Sequence, residues 1–147
     1  MTSIVDYMTD KHRECDDVFT EAESAAAHEN WALADEKLRS FVAELYRHLD
    51  AEEQVLFPEF EQATGIVNGP TMVMRSEHEQ MRATTEALKA ALTKQDKDEY
   101  LGLSESLMVL MQQHNMKEEM MLYPMTEQRV PNADKLGDAV KARCEAS

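Results

Sequence analysis

Apolar side chains recur every three or four residues along most of this chain, which is the spacing of one face of an α-helix. Four long stretches carry the pattern, and turns near residues 29, 66 and 96 separate them. The clearest turn contains Gly65, Gly69 and Pro70, because glycine and proline interrupt regular helices. Long helices joined by short turns predict an all-α, antiparallel up-down-up-down four-helix bundle. We expect a short C-terminal helix after Pro131.

Two prolines interrupt the second and fourth predicted helices. Pro58 and Pro124 follow the pairs Leu56-Phe57 and Leu122-Tyr123 in matching sequence contexts. Proline has no backbone N–H, so we expect a kink or a weakened turn at both positions.

The composition fits one helical domain spanning residues 1–147. Four Gly, four Pro and 43% hydrophobic residues favour helices, and the length suffices for a full core. The net charge of −14 argues against a nucleic-acid or anionic-membrane partner. No apolar run is long enough for a membrane span, and the N-terminus lacks the pattern of a signal peptide. Cys15 and Cys144 form no CxxC pair, so we expect free thiols and a cytoplasmic location.

The polar residues that stand out belong to an internal repeat. His48–Pro58 is HLDAEEQVLFP, and 66 residues later His114–Pro124 is HNMKEEMMLYP. The same offset relates two lone histidines, each 36 residues before the histidine of the next motif. Two tandem halves therefore each supply one lone histidine and one His-x-x-x-Glu motif. The six residues are His12, His48, Glu52, His78, His114 and Glu118.

All six residues lie on the helical faces that the apolar pattern assigns to the core. Burying a carboxylate is strongly unfavourable unless it is paired or binds a metal. His-x-x-x-Glu spacing places an imidazole and a carboxylate one turn apart on the same face. This donor set suits iron, manganese or zinc. One such motif arises often by chance on a Glu-rich helix, but its duplication in a shared register favours a metal site over structural histidines.

The motifs resemble the hemerythrin-like (HHE cation-binding) family over residues from about 4 to 127. The resemblance implies a non-haem centre of two oxo- or hydroxo-bridged iron ions, with the six residues above as ligands. It also implies a small ligand, O₂, NO or H₂O₂, and a role in oxygen binding, sensing or storage. A ferritin-like site needs Glu-x-x-His pairs, and no glutamate stands three residues before any histidine here.

One position departs from the oxygen-carrying hemerythrins that the chain resembles. Those proteins have a second histidine one turn after the third-helix histidine, where this sequence has Arg82. The missing donor leaves an additional metal position for water, a small ligand or another protein group. That position would favour one alternative function, a peroxide- or NO-detoxifying enzyme. Two others stay open independently of it: an iron-handling protein for repair of iron centres, and a metal-independent helical interaction module.

Residues beside the motifs carry weaker signals. Glu119 is a reserve ligand, although it and Glu53 fit solvated helix faces. Asp16 is placed either to accept a hydrogen bond from His12 or to face solvent. We expect Arg82 to reach a carboxylate or to extend outward. The tyrosines Tyr7, Tyr46 and Tyr123 fit either an approach to the metals or a packing role, and packing is favoured. His28 lies outside the repeat.

Overall fold

The computed structural model describes residues 1–146, which are helical and contain no β-strand. Two five-residue π-helical segments, Glu52–Leu56 and Glu118–Leu122, each connect two α-helices without a break. The prediction of an all-helical protein is confirmed, as is the C-terminal helix after Pro131. The α-helices are α1 (Ile4–Ala27), α2 (Trp31–Ala51), α3 (Phe57–Thr64), α4 (Pro70–Lys94), α5 (Lys97–Lys117), α6 (Tyr123–Arg129) and α7 (Ala133–Glu145).

Polar side chains cap the first turns of three long helices. Ser3, Asn30 and Asp96 each accept a hydrogen bond from the backbone N–H three residues later, at the starts of α1, α2 and α5. Such caps satisfy N–H groups that have no partner within the helix. At the end of α3, Gly65 adopts a left-handed conformation with φ of 72°, which glycine adopts without a steric penalty. These local signals keep the connections short.

Each π-helical segment ends two residues before one of the paired prolines, Pro58 or Pro124. The Phe57 N–H donates to the Glu52 carbonyl, and the Tyr123 N–H donates to the Glu118 carbonyl. Neither following proline has an N–H with which to continue the α-helical pattern. The weakened turns predicted from Pro58 and Pro124 are therefore present as π-helical turns, a form that is frequent at functional sites.

The helices form a bundle with a polar layer between two apolar clusters. Helix α1 packs along α2 and α5, α4 packs along α5 and α2, and α7 packs on α1, α2 and the first π segment. One apolar cluster includes Phe19, Phe41 and Leu107, and the other includes Phe57 and Val140. The histidines of the repeat fall between members of the two clusters along their helices. The core thus surrounds the repeat residues with apolar side chains.

Two further observations concern membrane-spanning helices and the cysteines. No helix in the described residues combines the length and the apolar character that a bilayer span requires. Cys15 and Cys144 are both free and buried, as expected from the sequence.

Candidate metal centre

The six repeat residues come together in the middle of the bundle. Their donor atoms form two overlapping groups, in each of which all the atoms lie within 4.8 Å of one another. No member of either group is more than 6% exposed. The first group contains Glu52, His78, His114 and Glu118, and the second contains His12, His48 and Glu118.

The two halves of the sequence meet at this centre in equivalent ways. His12 Nε2 lies 3.1 Å from Glu118 Oε1, and His78 Nε2 lies 3.1 Å from Glu52 Oε1. Each lone histidine thus faces the glutamate of the other half. Within each half the two imidazole centroids are close, at 4.8 Å for His12 and His48 and 5.0 Å for His78 and His114. The sequence repeat is therefore visible as a repeated geometry.

Carboxylates outside the centre hold the Nδ1 atoms of three histidines. A carboxylate only accepts hydrogen bonds, so each bond fixes the proton on Nδ1 and leaves Nε2 of the neutral ring available to a metal. The fourth histidine differs, because His48 Nδ1 is buried and has no hydrogen-bond partner among the described residues. The three pairs are His12 with Glu119 at 2.6 Å, His78 with Glu53 at 2.7 Å, and His114 with Glu77 at 2.8 Å.

The pKa values of the histidines in the metal-free protein follow this pattern. Burial acts to lower the pKa of His12 and His78, but the neighbouring glutamates outweigh it and raise both to about 9. Burial, together with the charge of His12, holds the pKa of His48 well below its usual value. His48 is therefore the one imidazole of the four whose pKa is lowered.

Two cations neutralise outer carboxylates on one side of the centre. Arg82 donates two hydrogen bonds to Glu53, at 2.8 and 2.9 Å, and Lys117 donates to Glu77 at 2.5 Å. Burial acts to raise the pKa of Glu53, but the bonds from His78 and Arg82 lower it to about 2. Arg82 thus reaches a carboxylate, which was one of the two expected outcomes.

The structure contradicts one expectation about neighbouring residues, decides between two alternatives for Asp16 and agrees with the expectation for His28. Glu53 and Glu119 do not lie on solvated faces but bind His78 and His12. Asp16 makes no hydrogen bond to His12 in the described residues, because Glu119 occupies Nδ1. His28 lies away from the centre and donates from Nδ1 to the Ser24 carbonyl at 2.8 Å.

Tyr123 lies at the centre together with the six repeat residues. Its buried hydroxyl donates to Glu52 Oε2 at 2.7 Å and lies 3.0 Å from Glu118 Oε1 and 3.2 Å from His12 Nε2. Burial and the two carboxylates raise its pKa well above the usual value, so the phenol stays protonated at neutral pH. Of the two interpretations of Tyr123 from the sequence, packing was favoured, but the structure places its hydroxyl at the centre.

The signal for Tyr123 was a mismatch in the repeat. Its counterpart by the 66-residue offset is Phe57. Phe57 stacks on His78 with a centroid distance of 5.5 Å, and Tyr123 stacks on His12 at 5.8 Å. The rings occupy equivalent places, and only the second half adds a hydroxyl that points to the centre.

The protein alone leaves polar atoms at this centre unsatisfied. Burial and the charge of Glu118 raise the pKa of Glu52 to about 7, as expected for two carboxyl groups in one buried site. Unpaired buried polar atoms are rare in folded proteins and each one is unfavourable. In the described residues, the buried atoms without a hydrogen-bond partner are His48 Nδ1, Glu52 Oε1, His78 Nε2, His114 Nε2 and Glu118 Oε2.

A comparison with protein families bears on this centre. The profile described as the hemerythrin HHE cation-binding domain matches residues 3–126 of the 147. The chain belongs to this family. Searches of curated proteins and of solved structures returned no match. The matched residues of this hemerythrin HHE domain include all six donors and the whole of α1 to α5.

The donors of the hemerythrin HHE centre fit a metal cation. Four of the five unsatisfied atoms belong to the four residues of the first donor group, and one of those residues, Glu118, is also in the second group. A cation bound by the first group would therefore give partners to polar atoms that have none in the protein. Imidazole and carboxylate donors without thiols suit iron, manganese or zinc. Neither Cys15 nor Cys144 belongs to a donor group in the described residues.

Two cavities border the centre. The first is about 10 Å³ and is lined by His12, His48 and His114, with apolar walls that include Leu45 and Met111. This volume is close to the minimum that holds one water molecule. The second is about 320 Å³ and contacts His48 from the side of α7, where Lys11, Cys15 and Cys144 also line it. The first cavity, which lies among three imidazoles, admits only a very small molecule, whereas the second reaches His48 alone among the six residues.

Proposed function

We propose that this hemerythrin HHE protein binds two non-haem iron ions and, through them, O₂ or a related small ligand such as NO. The observation that supports the proposal is the buried convergence of four imidazoles and two carboxylates in two overlapping donor groups. Glu118 belongs to both groups and is suited to being shared between the ions. The proposed ligands are His12, His48, Glu52, His78, His114 and Glu118.

Each part of the chain has a distinct role in this proposal. When bound, the iron ions supply the redox and ligand-binding chemistry. The imidazole Nε2 atoms and the carboxylates hold the ions, while Glu53, Glu77 and Glu119 orient three of the rings. The Tyr123 hydroxyl would supply a hydrogen bond, or a further donor, on the side of His12 and His48, since it lies 3.2 and 3.5 Å from their Nε2 atoms. Arg82, which stands where relatives have a histidine, instead holds Glu53.

The space at the centre supports a diatomic or similarly small ligand. The adjoining cavity of about 10 Å³ excludes organic substrates of ordinary size. Its walls include leucine and methionine, which suit an apolar ligand, together with the polar residues Asp16 and Asn115. The apolar part of the wall would limit the access of water to the ions.

The proposal includes features of the whole protein. We propose that the four long helices run in up-down-up-down order within one domain, because three short connections join them. The net charge of −14 supports a small ligand as the partner and disfavours nucleic acid and anionic membranes. The two free thiols support a reducing, cytoplasmic location.

A peroxide-decomposing enzyme is the second candidate. The observation that favours it is the Tyr123 hydroxyl, which lies 2.7 Å from Glu52 and 3.0 Å from Glu118. A protonated phenol beside two carboxylates forms a short path along which a proton can move, and H₂O₂ chemistry requires proton movement.

Metal content is the first test of the proposal. Wild-type protein loaded with Fe(II) without oxygen should retain two iron ions per chain after desalting. Glu52→Ala and Glu118→Ala should lose iron while keeping a helical circular dichroism spectrum. Glu105→Ala, at an exposed position of α5, is the matched control and should keep both ions. Wild type without bound metal would contradict the proposal and favour the interaction module.

Optical titration of the iron-loaded protein then separates the candidate functions. A charge-transfer band that forms with O₂ and disappears on its removal would support a carrier or sensor. Steady O₂ evolution from added H₂O₂ would support the enzyme instead. Transfer of iron to an acceptor protein, without either response, would support iron handling.

A further inference from the structure

The two halves of the chain are equivalent at the centre but differ in the surrounding layer. His78 and His114 belong to the second half, and His12 and His48 belong to the first half. Three outer residues of the second half have unlike counterparts 66 residues earlier. Glu77 corresponds to Lys11, Arg82 to Asp16, and Lys117 to Ala51.

Both imidazoles of the second half have a complete outer layer. His78 donates to Glu53 at 2.7 Å, and Arg82 holds that carboxylate with two bonds. His114 donates to Glu77 at 2.8 Å, and Lys117 holds that carboxylate. The four outer residues are partly buried, which limits the motion of the two rings.

The imidazoles of the first half have a weaker outer layer. His12 donates to Glu119, whose side chain is 31% exposed and has no Lys or Arg partner among the described residues. His48 Nδ1 has no hydrogen-bond partner in the described residues. The residue that takes the place of Glu77 on this side is Lys11, which pairs with Glu14 at 3.0 Å.

The number of donors differs in the same direction. The group around His78 and His114 contains two imidazoles and two carboxylates, whereas the group around His12 and His48 contains two imidazoles and one carboxylate, with the neutral Tyr123 hydroxyl 3.2 Å from His12 Nε2. Outer partners that orient a metal-binding histidine typically change metal affinity by about 10- to 100-fold. The number of carboxylate donors and the outer layer therefore favour the same position.

We propose that the two metal positions differ in affinity, that the position at His78 and His114 fills first, and that Glu53, Glu77 and Arg82 act as positioning residues for it. The inference rests on the proposed binding of two ions. It adds a stable state with one ion per chain and a second, more readily lost ion held by His12 and His48.

An anaerobic calorimetric titration with Fe(II) alone tests the order of filling. Wild type should bind two ions in separate steps whose affinities differ by at least about 10-fold. Glu77→Gln keeps a hydrogen-bond acceptor but removes the charge, and it should weaken the first step by about 10-fold or more. Two equal steps in wild type, or an unchanged first step in this variant, would overturn the inference.

A gain-of-affinity variant tests the same inference from the other side. Lys11→Glu places a carboxylate where the repeat has Glu77, in the cavity that Lys11 shares with His48. We expect the second step to tighten by about 10-fold while the first step stays unchanged. If Lys11→Glu tightened only the first step or weakened both, the assignment of the weak position to His48 would be wrong.

Arg82 has a matched control on the same helix. Lys89 also pairs with a glutamate, Glu86 at 3.0 Å, and lies over the same Tyr46 ring as Arg82, but Glu86 contacts no histidine of the centre. Arg82→Gln should weaken the first step and alter the visible spectrum of Co(II)-substituted protein, and Arg82→Lys should partly restore both. Lys89→Gln should change neither. Equal effects of Lys89→Gln and Arg82→Gln would indicate a purely structural role.

The outcomes separate this inference from the proposed function. If the proposed function fails, wild type binds no Fe(II) and no titration step is seen. If only the inference fails, two ions bind with equal affinity, or the outer variants leave the steps unchanged. Circular dichroism of each metal-free variant checks that the comparison is made on folded protein.

Discussion

At the scale of single residues, the duplicated motif predicted the members of the centre. A lone His12 or one His-x-x-x-Glu pair carries little information, because histidines are common on helices that face a core. The repeat supplied the missing information, since the same spacing occurs twice in the same helical register. All six residues identified in this way are buried and lie within the two donor groups. Their binding to metal stays a prediction.

The outer partners of the histidines were not predictable in the same way. Asp16 is one turn from His12 in sequence, yet Glu119 from the second π segment binds His12 instead. Glu53 and Glu77 likewise come from helices other than those of their histidines. Helical periodicity describes the faces of one helix, whereas these contacts depend on how neighbouring helices are rotated against each other.

The role of Tyr123 leads to a prediction for the metal-free protein. Tyr123→Phe removes a donor that lies 2.7 Å from Glu52 and leaves a buried carboxylate without it. We expect the free energy of unfolding to fall by about 1–3 kcal/mol, the usual effect of an unpaired buried group. Urea denaturation of metal-free protein measures this. Tyr100→Phe is the control, since Tyr100 is buried in an apolar cluster outside the centre, and an equal loss there would contradict the prediction.

The two buried thiols lead to a prediction about pH. Burial raises the pKa of Cys144 to about 11 and that of Cys15 to about 12, from an ordinary value of 9.0. The unfolded chain therefore loses these protons first as pH rises. Each buried thiol therefore contributes fully to the free energy of unfolding below pH 9, and this contribution is lost between about pH 9 and 12. At pH 10 the loss is about 1 kcal/mol per thiol.

Comparison of unfolding free energies at pH 8 and pH 10 tests this pH effect. Wild type should lose more stability over this interval than Cys144→Ala, because the variant lacks one of the titrating groups. A thiol reagent at pH 8 should react slowly with the native protein and rapidly with two thiols after denaturation. Identical losses in wild type and Cys144→Ala would show that the Cys144 proton is not linked to folding.

At the scale of elements, the sequence located the helix interruptions but not their hydrogen-bond pattern. Pro58 and Pro124 indicated weakened turns, and each is preceded by a π-helical segment that begins at a glutamate of the centre. The wider turn buries both the residue that begins it and the residue that follows it, as at Glu52 and Phe57. In an α turn the backbone N–H donates to the carbonyl four residues earlier, and in a π turn to the carbonyl five residues earlier. Residue types alone do not distinguish these two patterns.

The docking of α7 provides a prediction at the same scale. Gly137 lies against the backbone of Thr2, so a Cβ atom there would overlap the Thr2 carbonyl oxygen. Gly137→Ala should destabilise the protein by about 1–3 kcal/mol through overpacking. The matched control is Gly102→Ala within α5, where no atom lies within 4 Å of an added Cβ. Gly102→Ala should stabilise by about 0.5–1 kcal/mol, because alanine favours helices.

Thermal unfolding followed by circular dichroism distinguishes these two glycine variants. The midpoint should fall for Gly137→Ala and rise for Gly102→Ala. Gly137→Ala should also expose Cys144 on α7 and accelerate its reaction with a thiol reagent. A midpoint for Gly137→Ala equal to that of wild type would mean that α7 does not pack closely on the N-terminal segment.

At the scale of the whole molecule, composition predicted helices, and the net charge is one that bound cations would partly offset. The chain has a net charge of −14, and its interior contains Glu52 and Glu118 at 0% exposure. A folded state with this much negative charge is destabilised by self-repulsion. Bound divalent cations would offset both the overall charge and the buried carboxylates.

Metal removal should therefore lower the stability of the entire bundle. A cation that binds only the folded state at 100 times its dissociation constant stabilises that state by about 2.7 kcal/mol. For a domain of this size, that energy corresponds to a change of roughly 5–10 °C in the unfolding midpoint. We expect chelation to lower the midpoint by this amount in wild type and by much less in Glu52→Ala, which has already lost the site. The buried carboxylates are part of the core, so metal bound to them should affect the stability of the whole bundle. An unfolding midpoint that chelation leaves unchanged in metal-loaded wild type would show that the fold does not depend on metal, and it would favour the metal-independent interaction module.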